Sequence, residues 1–313
     1  MQKQKIIIDC DPGQDDAIAI LLALAANDSL EVLAITAVAG NVPLALTELN
    51  ARKMVELAGV ANVPVFAGCS RPIMKPLETA EYVHGESGID GVDLPEPALQ
   101  LQPDHAVDAL IDILRREPSG TVTLVPVGPL TNIAMALIKA PDIASRIKHI
   151  AIMGGALELG NVTPAAEFNI YVDPHAAHVV FTSGAPVTMF GLDVTHKALV
   201  TQERIDAMQA LDNRVARNAA GLLDFYSRFD LERYQMPGAP LHDPCPIAWL
   251  IKPELFKGRL CHVDIATDAG PTNGRTLVDW WGATDNPKNA TVITEIDCPG
   301  FFDLLIGHLK RYG

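Results

Sequence analysis

Four carboxylates stand within eight positions of the segment IIIDCDPGQDDAIAI, residues 6 to 20: Asp9, Asp11, Asp15 and Asp16. Carboxylates packed this closely share protons or share a cation. Their ligand atoms are oxygens, so hard-ion logic favours Ca²⁺ or Mg²⁺ over zinc, and the spacing is not that of an EF-hand. Two other readings stand beside the metal. An acidic first turn suits a helix dipole. A DxD after an apolar strand is also a phosphatase-like motif, although Gly13 stands where that motif wants Thr or Val. A metal needs more ligands than one loop supplies, and GAPLHDPCPIAWL, residues 238 to 250, offers Asp243. Asp243 followed by Pro244 also reads as a helix N-cap with proline at the first helical position. His242 beside a possible ligand points to proton transfer.

These residues need elements to position them. Apolar runs predict strands over 5–9, 30–38, 62–68, 120–128, 147–155 and 185–193, and helical spacing predicts helices over 15–26, 44–58, 105–116, 130–138 and 174–181. Strands alternating with helices predict an α/β fold, with an open, mostly parallel central sheet covered by helices. From Thr201 onward the pattern is mainly helical, with a late strand near 291–296 and a terminal helix. No linker, repeat or low-complexity tract interrupts the chain, so one domain is expected over 1–313. Polar clusters fall where strands stop: DCDPGQDD, GN at 40–41, VGPLTN at 127–132, MGGALELGN at 153–161 and GLDVTH at 191–196. Sites in open α/β sheets form outside the carboxyl ends of strands.

Composition narrows the function classes. The chain has 313 residues, 49% of them hydrophobic, and a formal net charge of −14. With no basic stretch interleaved with aromatics, nucleic acid is a poor partner. The longest apolar run, 17–26, is about half of a membrane span, so no membrane partner is expected. Five cysteines without a CxxC pair read as reduced thiols of a cytoplasmic protein.

Five ordered blocks, DCDPGQDDA, VHGESGIDG, LVPVGPLTNIA, MGGALELGNVTPAAEFNIYVDPHAA and LHDPC, resemble the inosine–uridine-preferring nucleoside hydrolases nearly end to end, and most resemble bacterial members that favour pyrimidine nucleosides. The resemblance implies hydrolysis of the N-glycosidic bond of a ribonucleoside to ribose and free base, with Ca²⁺ as cofactor. It implies Asp11, Asp16, Asp243 and the Val127 carbonyl as ligands, and Asp11 as the base that deprotonates water. Asp15, Asn41, Asn161, Glu167 and Asn169 resemble ribose contacts, and Met153 is placed to pack on the sugar. His242 and His84 resemble donors to the leaving base, with the choice between them open. Tyr234 matches an aromatic position of pyrimidine-preferring members. A homotetramer or dimer is implied as the assembly.

The chain departs from the family at two positions. Gln14 stands where relatives carry Leu, Ile or His, which marks it as a residue supporting the ligands or facing the base. Asp230 stands where relatives carry Tyr or Gln, and it would alter base choice or point to water. Asp9 has no expected contact with substrate and is read as supporting its loop. A metal-dependent phosphatase, or a non-catalytic nucleoside- or sugar-binding protein, remains the alternative.

Overall fold

The computed structural model describes residues 3–60, 62–234 and 237–313, without the side chains of residues 230 and 232–234. Nine strands form one sheet. They are β1 (Gln4–Cys10), β2 (Leu30–Ala37), β3 (Val65–Ala67), β4 (Val122–Pro126), β5 (Ile147–Met153) and β6 (Val187–Phe190), then β9 (Phe256–Ile265), β10 (Thr276–Asp279) and β11 (Ala290–Ile296). The two short strands between them, β7 (Leu199–Val200) and β8 (Ala239–Pro240), pair antiparallel as a separate ribbon. The order across the sheet is β10-β9-β11-β6-β5-β4-β1-β2-β3. Strands β1 to β6 and β11 run parallel, while β9 runs antiparallel to both of its neighbours.

The predicted alternation is present, with helices α1 (Gln14–Ala25), α2 (Leu44–Leu57), α3 (Glu81–His84), α4 (Ala106–Arg116), α5 (Thr131–Lys139), α6 (Phe168–Val172) and α7 (Pro174–Phe181) following strands in turn. The C-terminal half adds α8 (Leu192–Thr195), α9 (Gln202–Gln209), α10 (Arg214–Tyr234), α11 (Pro244–Ile251) and α12 (Cys298–Leu309). One expectation needs correction. The region after Thr201 is mainly helical, as expected, but its late strand is not alone, because β9 and β10 also extend the sheet there. Their sequences hide them: in β9, FKGRLCHVDI, four consecutive residues are exposed, so the alternation of a half-buried strand is missing.

Side chains alternate along β1 and feed two cores. Ile6, Ile8 and Cys10 join one face with α1, and Ile7 joins the other with α4, α5 and α7. Helix α1 is buried at every position, which accounts for its apolar circumference. The strand order reverses between β1 and β4: β1, β2 and β3 step toward one edge, while β4, β5 and β6 step toward the other. Loops leaving the carboxyl ends of β1 and β4 therefore diverge and leave a crevice.

Candidate active site

That crevice is a cavity of about 510 Å³, lined by Asp15, Asn41, His84, Val127, Met153, Asn161, Glu167, Asn169, His242 and Asp243, with Tyr82, Tyr226 and Phe229 as an aromatic wall. Asp11 and Asp16 lie beneath this lining, each at most 1% exposed. Of the predicted residues, Tyr234 ends α10, and its side chain, like that of Asp230, lies outside the described residues.

The floor is built by backbone amides closing on carboxylates. Asp16 accepts from the amides of Asp11 (3.1 Å) and Gly13 (3.0 Å), and from the Asn41 side chain (3.1 Å). Asp11 Oδ2 accepts from the Asn41 amide at 2.7 Å. Its Oδ1 is buried with no hydrogen-bond partner among the described residues. Glycine is required on both sides of that carboxylate. A Cβ at Gly40 would lie 2.0 Å from Asp11 Oδ2, and one at Gly128 would lie 2.4 Å from Oδ1. Asp243 occupies the N-cap position of α11, with Pro244 inside the first turn, but its side chain caps nothing. It turns to the floor instead, where oxygens of Asp15, Asp16 and Asp243 all lie within 4.8 Å of one another.

Burial pushes every one of these acids upward, and repulsion from neighbouring acids adds to it at Asp11, Asp15 and Asp243, while hydrogen bonds hold Asp16 lower. Asp15 rises to about 8 and Asp16 to about 6, while Asp11 and Asp243 rise well above the usual carboxylate range. Four buried carboxylates, one oxygen of them orphaned, with no lysine or arginine among the described residues that line the cavity, offer only oxygen donors, as suits a hard divalent cation, and Asp15, Asp16 and Asp243 are the three that meet. Asp9 holds the strand ends together: Oδ1 accepts from Thr36 (2.5 Å) and from Asn132 (2.8 Å), and Asn132 also donates to the Ala37 carbonyl (3.1 Å).

The remaining polar residues divide by what their own fold asks of them. Glu167 caps α6 and accepts from the amides of Gly155 (2.8 Å), Asn169 (2.9 Å) and Ile170 (3.2 Å), so much of its carboxylate is occupied by backbone. Asn169 donates to the Val127 carbonyl at 2.7 Å and to the Met153 carbonyl at 3.2 Å. The Val127 carbonyl retains its second lone pair. Asn161 accepts from the Phe168 amide at 3.0 Å, at the exposed edge of the cavity.

The two histidines are mounted differently. His84 Nδ1 lies 2.7 Å from Gln14 Oε1, and its ring stacks on Tyr226 at 5.8 Å and 24°. His242 Nδ1 lies 2.7 Å from Thr195 Oγ1. Burial pushes His84 down to about 3 and His242 well below its usual value, so both are neutral in the absence of substrate. Sequence reasoning missed Thr195 as a partner, the aromatic wall, and His196, which lines the cavity with its ring 5.7 Å from that of His242. The GLDVTH cluster at a strand end was the available signal for Thr195 and His196.

Known proteins resemble both the sequence and this geometry. Residues 6–303 match the family model of the inosine-uridine preferring nucleoside hydrolase. The chain is 50% identical over 308 residues to a pyrimidine-specific ribonucleoside hydrolase, RihA, of Escherichia coli, covering 98% of both chains. It is 49% identical to the protein of that name from Photobacterium profundum, covering 98% of this chain and 99% of the relative. Among solved structures, a purine-preferring ribonucleoside hydrolase from Gardnerella vaginalis superposes with a TM-score of 0.92 at 35% identity, covering 98% of each chain. With nearly its whole length matched by the family model and by relatives at half identity, the chain belongs to the inosine-uridine preferring nucleoside hydrolases, enzymes that cleave the N-glycosidic bond of ribonucleosides.

Proposed function

We propose that this hydrolase is Ca²⁺-dependent and prefers uridine and cytidine, releasing ribose and a free pyrimidine. The observation that carries the metal is the orphaned Asp11 Oδ1 amid buried carboxylates. Asp11, Asp16, Asp243 and the Val127 carbonyl would hold the ion, with Asp15 within reach of Asp16 and Asp243. Bound there, Ca²⁺ supplies Lewis-acid activation of the attacking water and an anchor for the ribose hydroxyls. Asp11 takes the water's proton. Cleavage builds positive charge on the sugar, as in other oxocarbenium-like transition states. The carboxylates and the amide oxygens of Asn41, Asn161 and Asn169, with Glu167, stabilise that charge and hold the ribose hydroxyls. Met153 packs on the sugar. His242 takes up a second proton as substrate binds, hands that proton to the departing base and returns to the neutral imidazole.

Pyrimidine preference is supported by the names of the two relatives near 50% identity, against a purine-preferring neighbour at 35%, and by the aromatic Tyr234 in α10. A cytoplasmic, single-domain enzyme is supported by five unpaired cysteines and by a sheet that draws strands from both ends of the chain. No helix among the described residues is long and apolar enough to cross a membrane. A homodimer or tetramer is supported by exposed Leu260, Leu277 and Trp281 on and beside β9 and β10. Incubating the protein with a nucleoside panel, with and without chelator, and quantifying free base and ribose tests the reading. Activity that survives complete removal of divalent ions would defeat the metal assignment.

A further inference from the structure

Gln14 is fully buried, and its amide can point only one way. Nε2 donates to two backbone carbonyls, His84 at 2.9 Å and Asp90 at 3.1 Å. Flipping the amide would set its oxygen against both carbonyl oxygens, so Oε1 is fixed on the opposite side. There it meets His84 Nδ1 at 2.7 Å. An amide oxygen only accepts, so the hydrogen in that contact belongs to Nδ1. A neutral imidazole carries one N–H, and burial keeps this ring neutral. Its Nε2 is therefore bare. That nitrogen has no hydrogen-bond partner among the described residues, and His84 lines the cavity.

The loop carrying His84 is locked in the same manner. Asn50 donates to the carbonyls of Pro12 (3.1 Å) and Ser87 (2.7 Å), clamping the 84–91 loop to the turn at Pro12–Gly13. Within that turn a Cβ at Gly13 would meet the His84 ring at 2.4 Å, so glycine is what lets the ring approach. His242 is free in the respect in which His84 is fixed. A threonine hydroxyl rotates and either donates or accepts, so Thr195 leaves His242 able to present an Nε2–H.

We infer that Gln14 is a positioning residue that locks His84 in the Nδ1–H tautomer, so that His84 Nε2 accepts a hydrogen bond from the nucleoside and the proton for the leaving base comes from His242. The inference rests on the nucleoside hydrolase reading and divides its two candidate donors. The hydrogen that His84 accepts belongs either to the base, as the N3–H of uracil, or to the ribose 5′-hydroxyl.

Two measurements test this. In calcium-loaded protein with ¹⁵N-labelled histidine, two-bond ¹H–¹⁵N spectra distinguish protonated from bare ring nitrogens, with His84 assigned by its loss in His84→Ala. The expected result is a protonated Nδ1 and a bare Nε2. A protonated Nε2 overturns the inference without any Gln14 variant being needed. This result is independent of whether the nucleoside panel shows turnover, so the failure of one reading is distinguishable from the failure of the other. The second measurement compares uridine, 3-methyluridine and 5′-deoxyuridine in wild type and Gln14→Leu. A lost hydrogen bond of ordinary strength costs about 3- to 10-fold. Gln14→Leu is expected to raise KM for uridine by that factor and change kcat less. The analogue lacking the relevant donor should lose nothing further in the variant. The 3-methyl analogue answers for the base and the 5′-deoxy analogue for the sugar. Losses that multiply independently for both analogues overturn the inference.

Discussion

The floor of the cavity and its wall are built in opposite ways. The floor is nearly one piece of chain, the turn from β1 into α1, to which α11 adds Asp243. Its carboxylates are fixed by amides three and five residues away or by the adjacent strand end. The wall is assembled from α3, His196 just after α8, α10 and the residues after β5, each far from the others in sequence. Local chemistry positions the floor, so substitutions there should abolish the reaction on every substrate. The wall is held by contacts between elements, so substitutions there should separate one substrate from another.

Asp11→Asn gives the largest expected effect. It removes the orphaned oxygen's charge and the base together, and turnover should fall about 10⁴-fold, the upper end for loss of a general base. The melting temperature should hold, because a neutral amide costs less to bury than a charge. Steady-state kinetics with thermal denaturation checks both, and an unfolded variant would end the comparison at its first step. His242→Ala should cost about 10²- to 10³-fold on uridine but far less on p-nitrophenyl riboside, whose leaving group needs no proton. Equal losses on both would show that His242 only orients the base.

Substrate choice sharpens the contrast from the wall side. The kcat/KM for uridine should exceed that for inosine by roughly tenfold or more, within the range that pocket shape alone supplies. A higher value for inosine would place this chain with its purine-preferring neighbour.

The smallest expected effect is on stability. Burial pushes Asp9 up to about 7, Asp15 to about 8 and Asp16 to about 6, from an ordinary 3.8. Between roughly pH 4 and 8 the folded, metal-free chain therefore holds more protons than the unfolded chain, and stability falls as pH rises. A bound cation opposes this by favouring the ionised acids. Chelation should lower the melting temperature more at pH 8 than at pH 5. The reverse order in a calorimetric scan would mean that the floor does not depend on a cation for its charge balance.

The sequence by itself determined the parallel core and most of the floor. Asp11, Asp15 and Asp16 are close along the chain, and a strand end running into a helix leaves them few directions to point. Asp243 was visible only as an ambiguity, cap or ligand, and only the tertiary structure shows its side chain making no cap and lying among the other acids. Strands β9 and β10 escaped the sequence reading, β9 because four consecutive exposed residues erase its period-two signal. Only the tertiary structure gave Gln14 its partners, His84 and Asp90, some seventy residues away, and set Gly40 and Gly128 against the two oxygens of Asp11. The physical reason is common to these cases. Sequence spacing fixes which groups share a turn or a strand face, whereas the direction of a hydrogen bond and the room around a carboxylate depend on segments that meet only when the sheet has closed.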